Sequence, residues 1–323
     1  MQSELVTPSK GSIWFFDGNI VIDTSSTLFR VHRGVLSRNS DVFRDLFLVP
    51  QPAGVSPNEI DECAVVAMHD SAEDWVYVLN AMYDGRNASQ ALPKFGMVAA
   101  FLRLGKEYDI PQLRDEALLI LRSAFSSTLQ GFDGRAKNSF FEYDGKYCTR
   151  PTYHYFQIIS LARETGTLDL LPMAFYALCE NHSPTGLIDQ LSIAVGEGLL
   201  SPADHLAMAV GCNRLAAFVV EDTYCWASES PVGGLLCTGE QCATKAKRAF
   251  FQNTFTYNDG SYTALLPWED IVGVPAEGGD YDGMCERCME AAKKMHQQGR
   301  IQVWQKHPGA FGLAEWHELL ETS

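Results

Sequence analysis

The sequence predicts an α/β (α+β) domain, with helices clustered around a small sheet, followed by a mainly α-helical C-terminal domain. Near the N-terminus, short β-favouring runs precede a segment whose apolar residues share one helical face, an order typical of a small sheet covered by helices. Beyond residue 152, apolar residues recur mostly at helical spacing. The chain has 323 residues, of which 46% are hydrophobic, so it is long enough to form two cores.

The N-terminal elements begin with two apolar runs at residues 13–16 and 20–22. Asp-Gly-Asn at residues 17–19 separates them, and this turn signal predicts a hairpin. Residues 28–31 contain β-favouring Leu, Phe and Val and predict a third strand. Apolar residues between positions 35 and 47 fall on one helical face, so the third strand is expected to lead into a core-packed helix.

The junction between this third strand and the helix supplies candidate core and interaction residues. A histidine at such a junction usually satisfies local backbone groups, so His32 is expected to be structural rather than a ligand or a switch. The apolar residues around it are expected in the domain core or in a dimer interface. The residues predicted to serve the core or interactions are Phe29, His32, Arg33, Phe43, Leu46 and Phe47.

Residues 28–47, which read LFRVHRGVLSRNSDVFRDLF, resemble the start of a BTB/POZ domain. Residues 74–83 and 95–125 resemble later helices of the same fold, because an apolar helix is followed by a Lys-Tyr-like turn and a Leu-Arg start to the next helix. The resemblance implies a BTB/POZ domain over residues 11–125 and a function in protein–protein interaction. A Pro-rich insertion at residues 49–64, without an appended repeat array, resembles the fungal (basidiomycete) type of BTB protein.

BTB domains that recruit corepressors resemble one another in a charged dimer groove, with an acidic residue on the early strand and a basic residue after the histidine. Arg33 matches the basic position. When residues are counted back along the family pattern without a gap, the acidic position falls on Asn19. Asp17 occupies this position only if the early strand is shifted. This departure argues against corepressor recruitment.

Residues 126–152 are polar and contain several glycines, so we interpret them as a linker to a C-terminal domain at residues 153–323. Ser183-Pro184 and Ser201-Pro202 each place a capping side chain before a proline, which predicts a helix start. Trp316 and the leucines after it are expected to pin the C-terminus onto this domain, and a partner-docking helix is the alternative. The helices predicted there span residues 155–164, 168–180, 184–195, 202–221, 241–254 and 284–298.

Four of the nine cysteines form two close pairs, Cys237 with Cys242 and Cys285 with Cys288, and such spacing allows four thiolates to converge on zinc. The second pair opens a helix, so both its side chains are expected on one face. The long separation of the pairs leaves two metal-free pairs as an alternative, and redox chemistry as a third. A structural zinc is therefore a candidate cofactor, and no other cofactor is predicted.

The composition and the motifs of the sequence argue against several functional classes. The net charge of −15 and the pI near 4.9 argue against direct nucleic-acid binding, which needs clustered basic residues. No leader or long apolar segment is recognised, so no membrane association and a cytoplasmic or nuclear location are expected. No nucleophile elbow, phosphate loop or metalloprotease signature occurs, so an enzyme is not expected. A zinc- or thiol-dependent enzyme is the alternative from another class.

These observations favour a protein–protein interaction module, an adaptor that forms homo- or hetero-oligomers through its BTB domain. Its expected partners are proteins, including a second copy of the chain. A cullin-scaffold ubiquitin-ligase substrate adaptor and a transcriptional regulator acting through partners remain alternatives, because neither has a decisive motif in the sequence.

Overall fold

The computed structural model describes residues 8–49, 59–84, 92–135, 141, 153–228, 237–239, 241–245, 264–272 and 284–322. The chain divides into two compact units. The first contains Met1–Ala124 and Ala136–Cys148, and the second contains Phe125–Arg135 and Thr149–Ser323. A small sheet with helices forms the first unit, and helices dominate the described part of the second, which confirms the predicted fold class.

The sheet of the first unit has five strands in the order β1-β3-β2-β5-β4. The strands β2 and β3 are antiparallel neighbours, while β1 lies parallel to β3 and β5 lies parallel to β2. Their bounds are β1, Ser9–Trp14; β2, Ile20–Asp23; β3, Thr27–Val31; β4, Glu59–Ile60; and β5, Cys63–Ala67.

The predicted hairpin between the first two apolar runs is wrong, because β1 and β2 lie on opposite edges of β3. Residues 17–19 pass across the end of β3 instead of closing a two-strand turn. Phe15 N–H donates to Arg30 O at 2.9 Å on one side, and Asn19 N–H donates to Val31 O at 2.9 Å on the other. The apolar strand β3 thus has hydrogen-bonding partners along both edges, which suits a central strand.

The predicted helix between positions 35 and 47 is two helices, α1 (Arg33–Asn39) and α2 (Asp41–Leu48). Ser40 separates them, because its backbone has an extended φ of −139°. Its N–H donates to Leu36 O at the end of α1, and its side chain accepts from Phe43 N–H at the start of α2. A side chain that caps the second helix therefore ends the first, as capping competes with helix continuation.

The remaining helices of the first unit are α3 (Ala72–Asp84), α4 (Phe95–Glu107) and α5 (Pro111–Ala124), as the BTB/POZ resemblance of residues 74–83 and 95–125 predicted. Buried Phe43 stacks on Tyr108 in the turn between α4 and α5, with ring centroids 5.2 Å apart. The predicted insertion at 49–64 lies largely outside the described residues, and its end forms β4 and the start of β5.

The second unit is helical throughout its longer described stretches. The side chains of Ser183 and Ser201 accept hydrogen bonds from Gly186 N–H and Asp204 N–H, which confirms both predicted caps. Of the predicted helix at 241–254, only residues 241–245 are described. The helices are α6 (Leu129–Gly134), α7 (Tyr153–Thr165), α8 (Leu171–Glu180), α9 (Pro184–Gly196), α10 (Pro202–Phe218), α11 (Trp268–Val272), α12 (Glu286–Ala310) and α13 (Trp316–Glu321).

A buried carboxylate joins α7 to α10. Asp204 is 3% exposed and accepts from Arg163 Nε at 3.1 Å and from Arg163 Nη2 at 2.6 Å. Ser201 Oγ donates to the other oxygen of Asp204 at 2.7 Å. Because both carboxylate oxygens have partners, the buried negative charge is compensated.

The C-terminal helix is pinned as predicted. The Trp316 ring stacks on the Trp304 ring of α12 at 5.3 Å, and Trp316 Nε1 donates to Trp304 O at 2.7 Å. Leu319 is buried on the same helix. These contacts hold α13 against the longest helix of this unit.

Two glycines of the second unit permit close approach between elements. A β-carbon on Gly211 of α10 would lie 2.1 Å from Cδ1 of Phe311, and one on Gly299 of α12 would lie 2.1 Å from Asp222 O. Asp222 belongs to a turn of π-helix at Val219–Thr223 that follows α10. Since both distances are far below van der Waals contact, only glycine fits at these positions.

Candidate metal centre and interaction surface

His32 lies between two side chains instead of bonding only to local backbone. Its Nδ1 is 2.9 Å from Tyr83 Oη, and its Nε2 is 3.3 Å from Asp17 Oδ1. The His32 backbone N–H donates to the same Tyr83 oxygen at 2.8 Å, so the tyrosine hydroxyl is free to donate to Nδ1. Burial raises the pKa of Tyr83 and keeps this hydroxyl protonated. The arrangement fixes the ring where β3 meets α1.

Asn19 and Asp17, the two candidates for the acidic groove position, have different partners. Asn19 Oδ1 accepts from Arg33 N–H at 2.8 Å, whereas Asp17 faces His32. The Arg33 guanidinium lies over the Phe47 ring at 5.5 Å. The basic position therefore lies beside a neutral amide and an aromatic ring.

The six residues predicted for the core or interactions occupy different environments. Phe29 and Phe43 are buried in the first unit. His32 and Phe47 are half-buried, Arg33 is exposed, and Leu46 is 42% exposed on α2. Phe29 and Phe43 thus belong to the core, whereas Arg33 on α1 and Leu46 on α2 are accessible.

One exposed face of α2 is apolar, and the rest of its exposed surface also carries the charged residues Asp41, Arg44 and Asp45. Val42 and Leu46 lie four residues apart, so they share one helical face, and Leu48 at the end of the helix is 74% exposed. Val49, directly after the helix, is also exposed. Exposed aliphatic side chains that share a helical face, as Val42 and Leu46 do, are a feature of interaction surfaces.

The four cysteines predicted as metal ligands lie together. The Sγ atoms of Cys237, Cys242, Cys285 and Cys288 all lie within 4.8 Å of one another. Cys242 and Cys288 are buried, while Cys237 and Cys285 are half-buried. Among the described residues, no histidine or carboxylate joins this group.

Local structure explains how the second pair reaches the site. Cys285 is the N-cap residue of α12 and Cys288 lies in its first turn, so both sulfurs project at the start of the helix. Cys242 opens a short helical turn at residues 242–245. The segment at residues 237–239, which has no regular secondary structure, supplies Cys237.

Backbone groups surround the Cys285 sulfur. Hydrogen bonds from the backbone of Thr238 and of Cys288, together with the Thr238 side chain, lower the pKa of Cys285 to about 5. Cys285 N–H in turn donates to Cys242 Sγ at 3.3 Å. This bond lowers the pKa of Cys242, but burial and the thiols of Cys237 and Cys285 outweigh it, so the pKa is raised overall.

Gly239 is a site residue that the cysteine spacing did not identify. A β-carbon on Gly239 would lie 2.6 Å from Cys242 Sγ and 3.6 Å from Cys285 Cβ. Any larger residue would occupy the space between the two pairs. A glycine between closely spaced cysteines was the available signal in the sequence, but its contact with the second pair depends on tertiary structure.

The exposed aliphatic residues on α2 are typical of a protein–protein interaction surface. Residues 11–123 match the family model of the BTB/POZ domain, and this part of the chain is a BTB/POZ domain. No curated protein is similar enough to the chain to count as a match. The resemblance to the fungal type therefore stays a prediction. None of the described helices is both long and apolar enough to cross a membrane.

Proposed function

We propose that the chain is a non-catalytic adaptor that self-associates through its BTB/POZ domain and presents its helical C-terminal domain to a protein partner. The predicted boundaries belong to this proposal, with the BTB domain at residues 11–125, a connection at 126–152 and the C-terminal domain at 153–323. The exposed apolar face of α2 carries the proposal. An aliphatic face of this kind gains free energy when a second copy covers it.

Self-association through one face requires enough area. A stable dimer typically buries at least about 1,200 Å² in total, which is more than a few leucine side chains supply. Residues flanking α2, including exposed Arg33 beside Phe47, would therefore form part of the contact. Two copies related by a twofold axis would then place α2 against its own counterpart.

The test is the molar mass of the full chain in solution, measured by light scattering during size-exclusion chromatography over a range of concentrations. The wild type is expected at twice the 35.8 kDa chain mass, and Leu46→Asp is expected as a monomer. Leu119→Asp is the matched control, because Leu119 is an exposed leucine on another helix of the same unit, and it should remain a dimer. A wild-type chain that stays monomeric throughout would refute self-association.

The partner determines which kind of adaptor this is. The BTB resemblance supports a cullin-scaffold substrate adaptor, which predicts that a cullin scaffold co-purifies with the chain and that mutations in the BTB domain abolish this. A transcriptional regulator would instead be enriched in the nucleus with a corepressor. Asn19 supplies no negative charge beside Arg33, and this observation favours the cullin adaptor over corepressor recruitment.

Net charge supports a protein partner over nucleic acid. At −15, the chain is repelled by a phosphate backbone at neutral pH, and it is suited to partners with basic surfaces. We therefore include the absence of direct nucleic-acid binding in the proposal, together with the cytoplasmic or nuclear location expected from the sequence. A filter-binding titration at low salt with duplex DNA and RNA checks this, and saturable binding to either would refute it.

A further inference from the structure

We propose that Cys237, Cys242, Cys285 and Cys288 bind one Zn²⁺ ion in a closed structural site. This site is separate from the BTB domain and goes beyond the proposed adaptor function. Its role is to join residues 237–245 to the start of α12. The argument rests on the distances among the sulfurs, the donor set and the space at Gly239.

The distances fit tetrahedral zinc. A Zn–S bond of about 2.3 Å in tetrahedral geometry places the four sulfurs about 3.8 Å apart. The four Sγ atoms here all lie within 4.8 Å of one another, so small rotations of the side chains bring them to that spacing. Four thiolates on one ion leave no open coordination position, which defines a structural rather than a catalytic zinc site.

The donor set selects the metal. Soft thiolate ligands favour Zn²⁺ or iron over Mg²⁺ and Ca²⁺, which prefer oxygen. Binding would release the protons of those thiols that are still protonated, and the four thiolates would share the charge of one divalent cation. The N–H group of Cys285, which donates to Cys242 Sγ at 3.3 Å, spreads the remaining negative charge into the backbone.

Gly239 gives the site its space. A side chain at this position would meet Cys242 Sγ and the β-carbon of Cys285. Glycine therefore lets the two cysteine pairs approach each other around one point. The close approach of two pairs far apart in sequence is what a shared metal would stabilise.

The metal would link two parts of the chain that are distant in sequence. Cys242 and Cys285 are separated by a long segment, and closing such a segment costs conformational entropy that a bound ion offsets. The free energy of metal binding becomes free energy of folding when the site is absent from the unfolded chain. We therefore expect the second unit to depend on zinc.

The experiment measures zinc and iron by mass spectrometry on tag-free full-length protein, with protein concentration from amino-acid analysis. The wild type should hold about one zinc per chain, and a Cys285→Ser and Cys288→Ser double variant should lose most of it. The matched control is Cys179→Ser with Cys212→Ser. These two buried cysteines have their sulfurs 3.1 Å apart but lie outside the four-cysteine group, so this variant should keep its zinc.

Cobalt substitution tests the site even if the double variant fails to fold. Wild-type protein reconstituted with Co²⁺ alone should show the visible absorption of a tetrahedral thiolate complex, and added zinc should displace it. Absence of this spectrum together with absence of zinc would overturn the proposal. Zinc retained by the double variant, or about one iron per chain in place of zinc, would also overturn it.

Discussion

Two buried histidines of α12 make the second unit sensitive to acid. His296 and His307 have no exposed surface. Burial lowers the pKa of His296 to about 4 and that of His307 to about 3, compared with an ordinary value of 6.5. At pH 5 both rings therefore stay neutral in the folded unit, whereas they would be protonated in the unfolded chain.

The surroundings of the two rings explain these shifts. His307 is enclosed by the rings of Tyr176, Trp304, Phe311 and Trp316, with centroids 5.5 to 6.1 Å away, and neither of its ring nitrogens has a hydrogen-bond partner. His296 Nε2 is 2.9 Å from Leu266 O, and the nearby positive charge of Arg300 lowers its pKa further. Nothing in the described contacts of His307 compensates a positive charge.

The sign of the pH dependence follows from linkage. The pKa values of both histidines are lower in the folded chain than in the unfolded chain. Between about pH 6.5 and about pH 3 to 4, the unfolded chain therefore binds more protons than the folded chain. Stability is therefore constant above this window and falls as pH falls through it. At pH 5 each histidine costs about 2 kcal/mol, so His296 and His307 together cost about 4 kcal/mol relative to neutral pH.

The assay is urea unfolding followed by tryptophan fluorescence at pH 7 and pH 5, because Trp304 and Trp316 flank His307. His307→Phe cannot titrate and should lose about 2 kcal/mol less than the wild type between the two pH values. The control is His317→Gln, which replaces an exposed histidine and should behave like the wild type. An equal loss in wild type and His307→Phe would refute the reasoning.

Three substitutions test the packing. Phe43→Asp should destabilise the first unit by about 4 kcal/mol, because a charge replaces a buried ring. Leu119→Asp on the exposed surface of α5 should leave the melting temperature of the first unit near that of the wild type, and equal melting of the Phe43 and Leu119 variants would contradict this core assignment. Gly299→Ala should cost about 2 kcal/mol in urea unfolding because the new methyl group meets the π turn. Gly309→Ala on the same helix meets open space, so a loss as large as that of Gly299→Ala would count against the close contact. Asp204→Asn should cost about 2 kcal/mol through its weakened ion pair, and no change in the urea midpoint would contradict that role.

The local signals in the sequence predicted helices better than strand pairing. Ser183 and Ser201 each start a helix through contacts within three residues, so their caps were readable from the sequence. The hairpin at residues 17–19 was wrong because the pairing partner of β1 is β3, and a turn signal does not specify which strand is adjacent. Ser40 ended α1 within an otherwise continuous apolar pattern, because its capping bond competed with that pattern.

The candidate metal site was predictable in part. The spacing within each cysteine pair indicated metal ligands, since both members of each pair lie close in sequence. The convergence of the two pairs depends on the path of the chain between them, which no local pattern specifies. The roles of Thr238 and Gly239 are equally non-local, because Thr238 bonds to the Cys285 sulfur and Gly239 leaves room for the β-carbon of Cys285.

The contact between Gly211 and Phe311 constrains how this chain can evolve. Because a β-carbon at position 211 would overlap the Phe311 ring, no single substitution at 211 is neutral while that ring remains. The ring also lies 5.1 Å from Phe175, so replacing it first would leave a cavity. Each change alone is therefore expected to lower the free energy of unfolding. Positions 211 and 311 are therefore expected to vary together among descendants of this sequence.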